Sequence, residues 1–162
     1  MSSARGFRLA ALALVLIGTA ACAEQLDGRA VAIAGDTVEI DGRAIRLAGI
    51  AAPRAGQVCA LRGRASFDCA ERSRHELAGL LSSMPVRCEV RRDKHAEPPL
   101  WGRCRLDPVG TDLASWMILR GWAVATTEEF RPFERVAAHM RIGMWTAVAL
   151  TEPDLREQGW GR

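Results

Sequence analysis

The chain contains no tyrosine and, among its basic residues, a single lysine, Lys94. With no tyrosine, aromatic stacking on a base or other flat ligand falls mainly to tryptophan. The arginine excess matters for ligands, because a guanidinium can grip phosphate bidentately, yet so uniform a bias also fits a GC-rich genome, and we favour that explanation. No Cys-x-x-Cys spacing occurs, which argues against a zinc knuckle. No phosphate-cradling glycine loop and no Ser or Cys nucleophile motif is present. Linkers and internal repeats are lacking too. The longest apolar run, Leu9 to Ile17, is too short to span a bilayer.

That run has another use. Arg5 and Arg8 precede it and small residues from Gly18 to Ala23 follow it, the layout of an export signal. The expected organisation is a signal peptide over 1–23, cleaved after Ala21-Cys22-Ala23, and a single domain over 24–162 with a short C-terminal tail. A lipoprotein would instead acylate Cys22, but Thr19 stands three places earlier, where an apolar residue is usual. The expected location is secreted or periplasmic, with no stable membrane span after cleavage.

Removing the signal takes Arg5 and Arg8 from 22 basic residues and leaves 20 against 19 acidic ones, a net charge near +1. Strong nonspecific attraction to nucleic acid needs a concentrated basic face, which this balance does not promise. Cleavage also removes Cys22 and leaves Cys59, Cys69, Cys88 and Cys104, an even set suited to two disulfides in an oxidising compartment. Spacing alone leaves all three connectivities open.

Along the chain, Arg29–Ala34, Thr37–Ile40 and Arg43–Ile50 read as strands, with Asp41-Gly42 a strong hairpin turn. Pro53 ends the pairing, and Cys59 to Cys69 reads as an arginine-rich loop. A helix is expected from an Asp68 N-cap to Leu81, with Ala70, Ser73, Leu77, Leu80 and Leu81 on one face. Val86–Arg91 and Arg103–Leu106 read as strands, separated by a polar loop from Asp93 to Leu100. Further helices are expected over Asp112–Leu119, ending at Gly121, and over Arg131–Arg141, closed by Gly143. The class is α+β, with five strands and three helices.

Three segments carry a resemblance: Gly35-Asp36-Thr37, Arg46-Leu47-Ala48-Gly49-Ile50-Ala51-Ala52-Pro53-Arg54, and Trp101-Gly102-Arg103. In order and spacing they resemble the calcium-dependent thermonuclease, or staphylococcal-nuclease-like, family in its secreted two-disulfide form. The resemblance runs from Asp27 to the Pro153-x-x-Arg156 tail. It implies a five-stranded OB-type β-barrel carrying three helices, and the pairings Cys59–Cys69 and Cys88–Cys104. It also implies that Arg46 and Arg103 contact a phosphate, that Asp36 is a calcium ligand, and that Trp101 holds a ligand by stacking.

The departures decide the chemistry. The family's second segment ends Asp-x-Pro-Glu, and the matching residues are Ala51 and Arg54. Ala51 supplies no oxygen to an ion that takes about 6–8, so tight calcium binding is not expected. Arg54 stands where the general base belongs, and a guanidinium stays protonated and cannot take a proton from water. Glu39, Asp41, Asp93 and Glu97 are the nearest other carboxylates, and solvated loop positions account for them. Thr127 falls near another expected aromatic position. Trp116, Trp122 and Trp145 read as core, His75 and His95 as surface residues, and Trp160 lies in the tail.

The expectation is therefore an exported thermonuclease-like domain that has lost its calcium-dependent nuclease activity. It would serve as a binding or assembly module for phosphate-bearing or other polyanionic ligands, without a cofactor, or with calcium if some activity remains. The alternatives are a weak phosphodiesterase acting on DNA or RNA, and an envelope or exopolysaccharide accessory protein with an envelope protein as partner.

Overall fold

A computed structural model describes residues 23–60, 66–91, 99–146 and 149–150. The export segment through Cys22, most of the loop from Asp93 and the Pro153-x-x-Arg156 tail lie outside the described residues.

The first strand, β1 (Ala23–Gly28), is followed by β2 (Val31–Ala34), β3 (Thr37–Ile40) and β4 (Arg43–Leu47). Asp41 and Gly42 join β3 to β4 with φ of 49° and 75°. Positive φ at both central residues is what a two-residue turn needs to match the strands' twist. Short strands β5 (Ile50–Ala51), β6 (Val58–Ala60) and β7 (Ser66–Asp68) lead into α1 (Cys69–Leu81). Then come β8 (Val86–Arg91), β9 (Leu100–Leu106), α2 (Leu113–Leu119), β10 (Val124–Ala125), α3 (Arg131–His139), a 3₁₀ turn over Gly143–Thr146, and β11 (Ala149–Leu150).

Six strands form the main sheet in the order β1-β8-β9-β4-β3-β2. Only β4 and β9 run parallel within it. The sheet curls into a half-barrel: Glu24 at the start of β1 receives two hydrogen bonds from the Arg43 guanidinium on β4, at 2.6 and 3.1 Å. The fold is thus α+β, with a curled OB-type sheet and three helices. The sequence pattern, however, supplies five strands where the sheet has six. The extra one is β1, whose Glu24-Gln25-Leu26-Asp27 run offers one apolar side chain to periodicity and gains its place by pairing with β8.

Other boundaries differ too: β9 begins at Leu100, at the end of the expected loop and three residues before the expected Arg103, because Leu100 and Trp101 pair with Ile45 and Arg46 of β4. The strand expected over Arg43–Ile50 breaks after Leu47, where Ala48 N–H donates to the Gly102 carbonyl and Gly49 takes φ of 85°. A Cβ on Gly49 would lie 2.5 Å from the Phe130 ring, so the break and the glycine belong together. The segment expected as a loop between Cys59 and Cys69 holds β6 and β7, which pair antiparallel.

Helix α1 starts as expected: Asp68 caps it by accepting from Glu71 N–H at 2.8 Å. Its buried face of Ser73, Leu77 and Leu81 contributes to a core with Val38, Ile40, Ile45 and Leu47 of β3 and β4, and with Val86 and Val90 of β8. Met117 and Ile118 of α2 complete that layer. Trp122 is buried, and Trp116 and Trp145 are partly buried against the core.

Two disulfides staple the molecule. Cys59 is bonded to Cys69 across 5.6 Å between Cα atoms, and Cys88 to Cys104 across 4.1 Å between the paired strands β8 and β9. Disulfides persist in oxidising compartments, which points to the periplasm or the exterior. Among the described residues no helix is long and apolar enough to cross a membrane.

Candidate functional site

The site begins at the turn between β2 and β3. A Cβ on Gly35 would fall 1.8 Å from Ser73 Oγ and 2.8 Å from the Ala52 Cβ, so only glycine lets α1 approach this closely. That contact seats Asp36, whose carbonyl accepts from Leu47 N–H at 2.8 Å and ties the turn to the end of β4. Asp36 is 6% exposed, and its carboxylate is occupied. Oδ1 accepts from Thr37 Oγ1 at 2.9 Å and Oδ2 from Ala52 N–H at 3.3 Å. Arg46 Nε lies 3.7 Å from Oδ2, and that nitrogen is buried without a hydrogen bond. Asp36 and Arg46 therefore form an internal ion pair.

Arg46 lies opposite Trp101 where β4 and β9 run parallel, and Arg103 follows two residues along β9. Side chains alternate along a strand, so Arg46, Trp101 and Arg103 share one face. The Arg46 guanidinium carbon sits 5.5 Å from the Trp101 ring centroid, a cation–π distance that fixes a ring still 48% exposed. Arg103 is bonded to the Glu129 carboxylate and stands 6.0 Å from the Phe130 ring centroid. The Glu129 hydrogen bond leads the influences that raise the Arg103 pKa above its ordinary value.

Trp101 and Arg103 open onto a cleft of about 460 Å³, walled also by Glu89, Arg91, Thr127 and Glu129 and lined by Ala48 and Gly49; Asp36 and Arg46 are not among its walls. Arg54 is not part of those walls. It sits on an exposed turn where its N–H donates to Gln57 Oε1 at 2.7 Å, and its guanidinium makes no ion pair among the described residues. Ala51 lies on β5, paired with Val124, and offers a methyl group.

The donor set does not fit calcium. One side-chain carboxylate faces the position, its oxygens are taken by Thr37, Ala52 and Arg46, and among the described residues no group of three or more His, Cys, Asp or Glu is arranged to hold a metal ion.

Sequence reasoning missed Glu89 and Glu129. Glu89 was within reach: once Cys88 is placed opposite Cys104 in an antiparallel pair, residue 89 must face residue 103. Glu129 was not, because it approaches Arg103 from 26 residues away and no local pattern connects them.

No protein-family model matches the chain. It is similar to the succinoglycan biosynthesis protein ExoI of Rhizobium meliloti (strain 1021), 33% identical over an alignment of 142 residues that covers 83% of this chain and 72% of that protein. The chain belongs to the ExoI family. For this ExoI relative, the cleft offers the Trp101 platform with Arg103 beside it, and Arg46 packs on the Trp101 ring from outside the walls; both arginines already face a carboxylate. Such an arrangement is suited to holding a polar ligand by hydrogen bonds and stacking.

Proposed function

We propose that the chain is an exported accessory domain of envelope or exopolysaccharide production, built on a thermonuclease-like frame and binding its ligand without hydrolysing it. The observation that carries this reading is the state of the retained arginines: Arg46 faces Asp36, Arg103 faces Glu129, and the position of the base is an arginine outside the cleft. Hydrolysing a phosphodiester near neutral pH takes a base for water, a metal and cations for the developing charge. Of these the site keeps only the cations, already engaged.

The part that ExoI is named for, succinoglycan biosynthesis, supports the accessory role. A phosphate or other polyanion, the ligand expected from the sequence, would have to draw both arginines away from their carboxylates. A weak phosphodiesterase acting on DNA or RNA would have to take its base from Glu89 or Glu129. Glu129 is bonded to Arg103, so base and clamp would compete for one another.

Disrupting the gene in its native host tests this proposal. The expected result is a changed amount or chain length of surface or secreted polysaccharide, restored by the wild-type gene. An unchanged polysaccharide profile counts against it.

A further inference from the structure

The cleft does not end at Arg103. A second cavity of about 220 Å³ continues along the same face of β8 and β9, walled by Arg87, Arg105, Asp107 and Pro108, and the two share Glu89 and Arg103. From Trp101 to Arg105 the strand advances about 13 Å. That is longer than one hexose ring and suits a short linear chain.

The charges along this groove nearly balance, with Arg87, Arg91, Arg103 and Arg105 set against Glu89, Asp107 and Glu129. Arg87 donates to Asp27 at 3.1 Å and to Asp107 at 3.3 Å, Arg103 to Glu129, and Glu89 lies across from Arg103, while Arg91 and Arg105 make no ion pair among the described residues. Affinity for a polyanion comes from cations that release counterions when they meet phosphate, and paired arginines release few. What the groove presents instead is an exposed indole at one end and a row of planar bidentate groups beyond it. A pyranose ring has an apolar C–H face that packs on an indole and equatorial hydroxyls that both accept from guanidinium and donate to carboxylate.

We infer that this groove binds a neutral linear oligosaccharide, one ring stacked on Trp101 and the following rings hydrogen-bonded by the Arg103–Glu129 pair, Glu89 and Arg105. The inference rests on the non-hydrolytic accessory reading and names the ligand class of that same site. Asp107 and Arg87, fixed to each other and to β1, close the far end.

Calorimetric titration of the purified, oxidised chain tests it, with short linear glucan, galactan and mannan oligosaccharides and a short single-stranded oligodeoxynucleotide as probes. At least one oligosaccharide should bind with an affinity that changes less than about twofold between roughly 50 and 200 mM salt, whereas a polyanion's would fall steeply. Trp101→Ala should weaken that binding about tenfold, the loss expected when one aromatic stacking partner is removed, and Trp101→Phe should keep most of it. The inference is overturned if no oligosaccharide binds, if Trp101→Ala binds as well as wild type, or if the oligodeoxynucleotide binds more tightly than every sugar. Failure to bind sugar without any cleavage of nucleic acid defeats the ligand class alone, whereas calcium-dependent cleavage defeats the accessory reading beneath it.

Discussion

Glu129 contributes little to a folding core, since it and Arg103 are both about half exposed, and a surface pair of this kind is worth roughly 0–1 kcal/mol. Its effect on recognition is larger, because it decides whether Arg103 is available to an anion. Glu129→Gln should leave stability nearly unchanged and raise affinity for a single-stranded oligonucleotide, with the salt dependence of log K steepening by about 0.7 for the single phosphate that a released Arg103 neutralises. Fluorescence anisotropy across a salt series reads both numbers. Unchanged affinity would mean that Arg103 is not held back by its carboxylate. Gly35 makes the opposite case, a residue with no chemistry on which the site depends. Gly35→Ala drives a methyl into Ser73, whose hydroxyl donates to the buried Trp122 carbonyl at 2.7 Å. Overpacking of this kind costs about 1–3 kcal/mol, measurable as a lowered denaturation midpoint. A neutral substitution would show that α1 is free to retreat.

At the scale of elements, α1 carries a pH dependence that the sequence pattern does not announce. Glu71 lies in its first turn, accepts from Arg74 at 2.6 and 2.9 Å, and lies 2.7 Å from His75. The Arg74 hydrogen bonds, foremost, take its pKa from the ordinary 4.5 down to about 2. A depressed carboxylate stabilises the fold above its unfolded pKa, and that contribution is lost as pH falls from about 4.5 towards about 2. Amide protection factors in α1, corrected for intrinsic exchange, should fall over that window, and Glu71→Gln should reduce the fall; protection factors that stay flat in the wild type would contradict it. The helix itself was legible, because Asp68 is a strong cap and Ser73, Leu77 and Leu81 keep the 3.6-residue period. Strands β3, β4 and β8 were legible from alternation and from Asp41-Gly42. Strand β1 was not, since its place depends on backbone pairing with β8 rather than on apolar side chains. The break after Leu47 was hidden for a related reason: Phe130, far along the chain, sets it. Within the site, Arg46 and Trp101 could be placed by motif, and the carboxylates that restrain the arginines needed the tertiary fold.

Across the whole molecule, one disulfide locks adjacent strands β8 and β9 within the curled sheet, and the other joins β6, outside that sheet, to the start of α1. They close sequence separations of 10 and 16 residues, for which loop entropy gives about 3 kcal/mol each. Reduction should therefore lower the unfolding midpoint sharply, by calorimetry with and without reductant, and a midpoint that does not move would assign the stability to the core alone. The staples hold a frame on which Asp36, Arg46, Trp101 and Arg103 lie close together, and on which, in the reading proposed above, Ala51 and Arg54 leave no metal ligand and no base. The central claim, that this frame binds and does not cut, is tested most directly by incubating the purified, oxidised chain with DNA and RNA in the presence of calcium or a chelator. The account predicts no calcium-dependent cleavage above background. Turnover that the chelator stops, and that Arg46→Ala or Arg103→Ala abolishes, would contradict it.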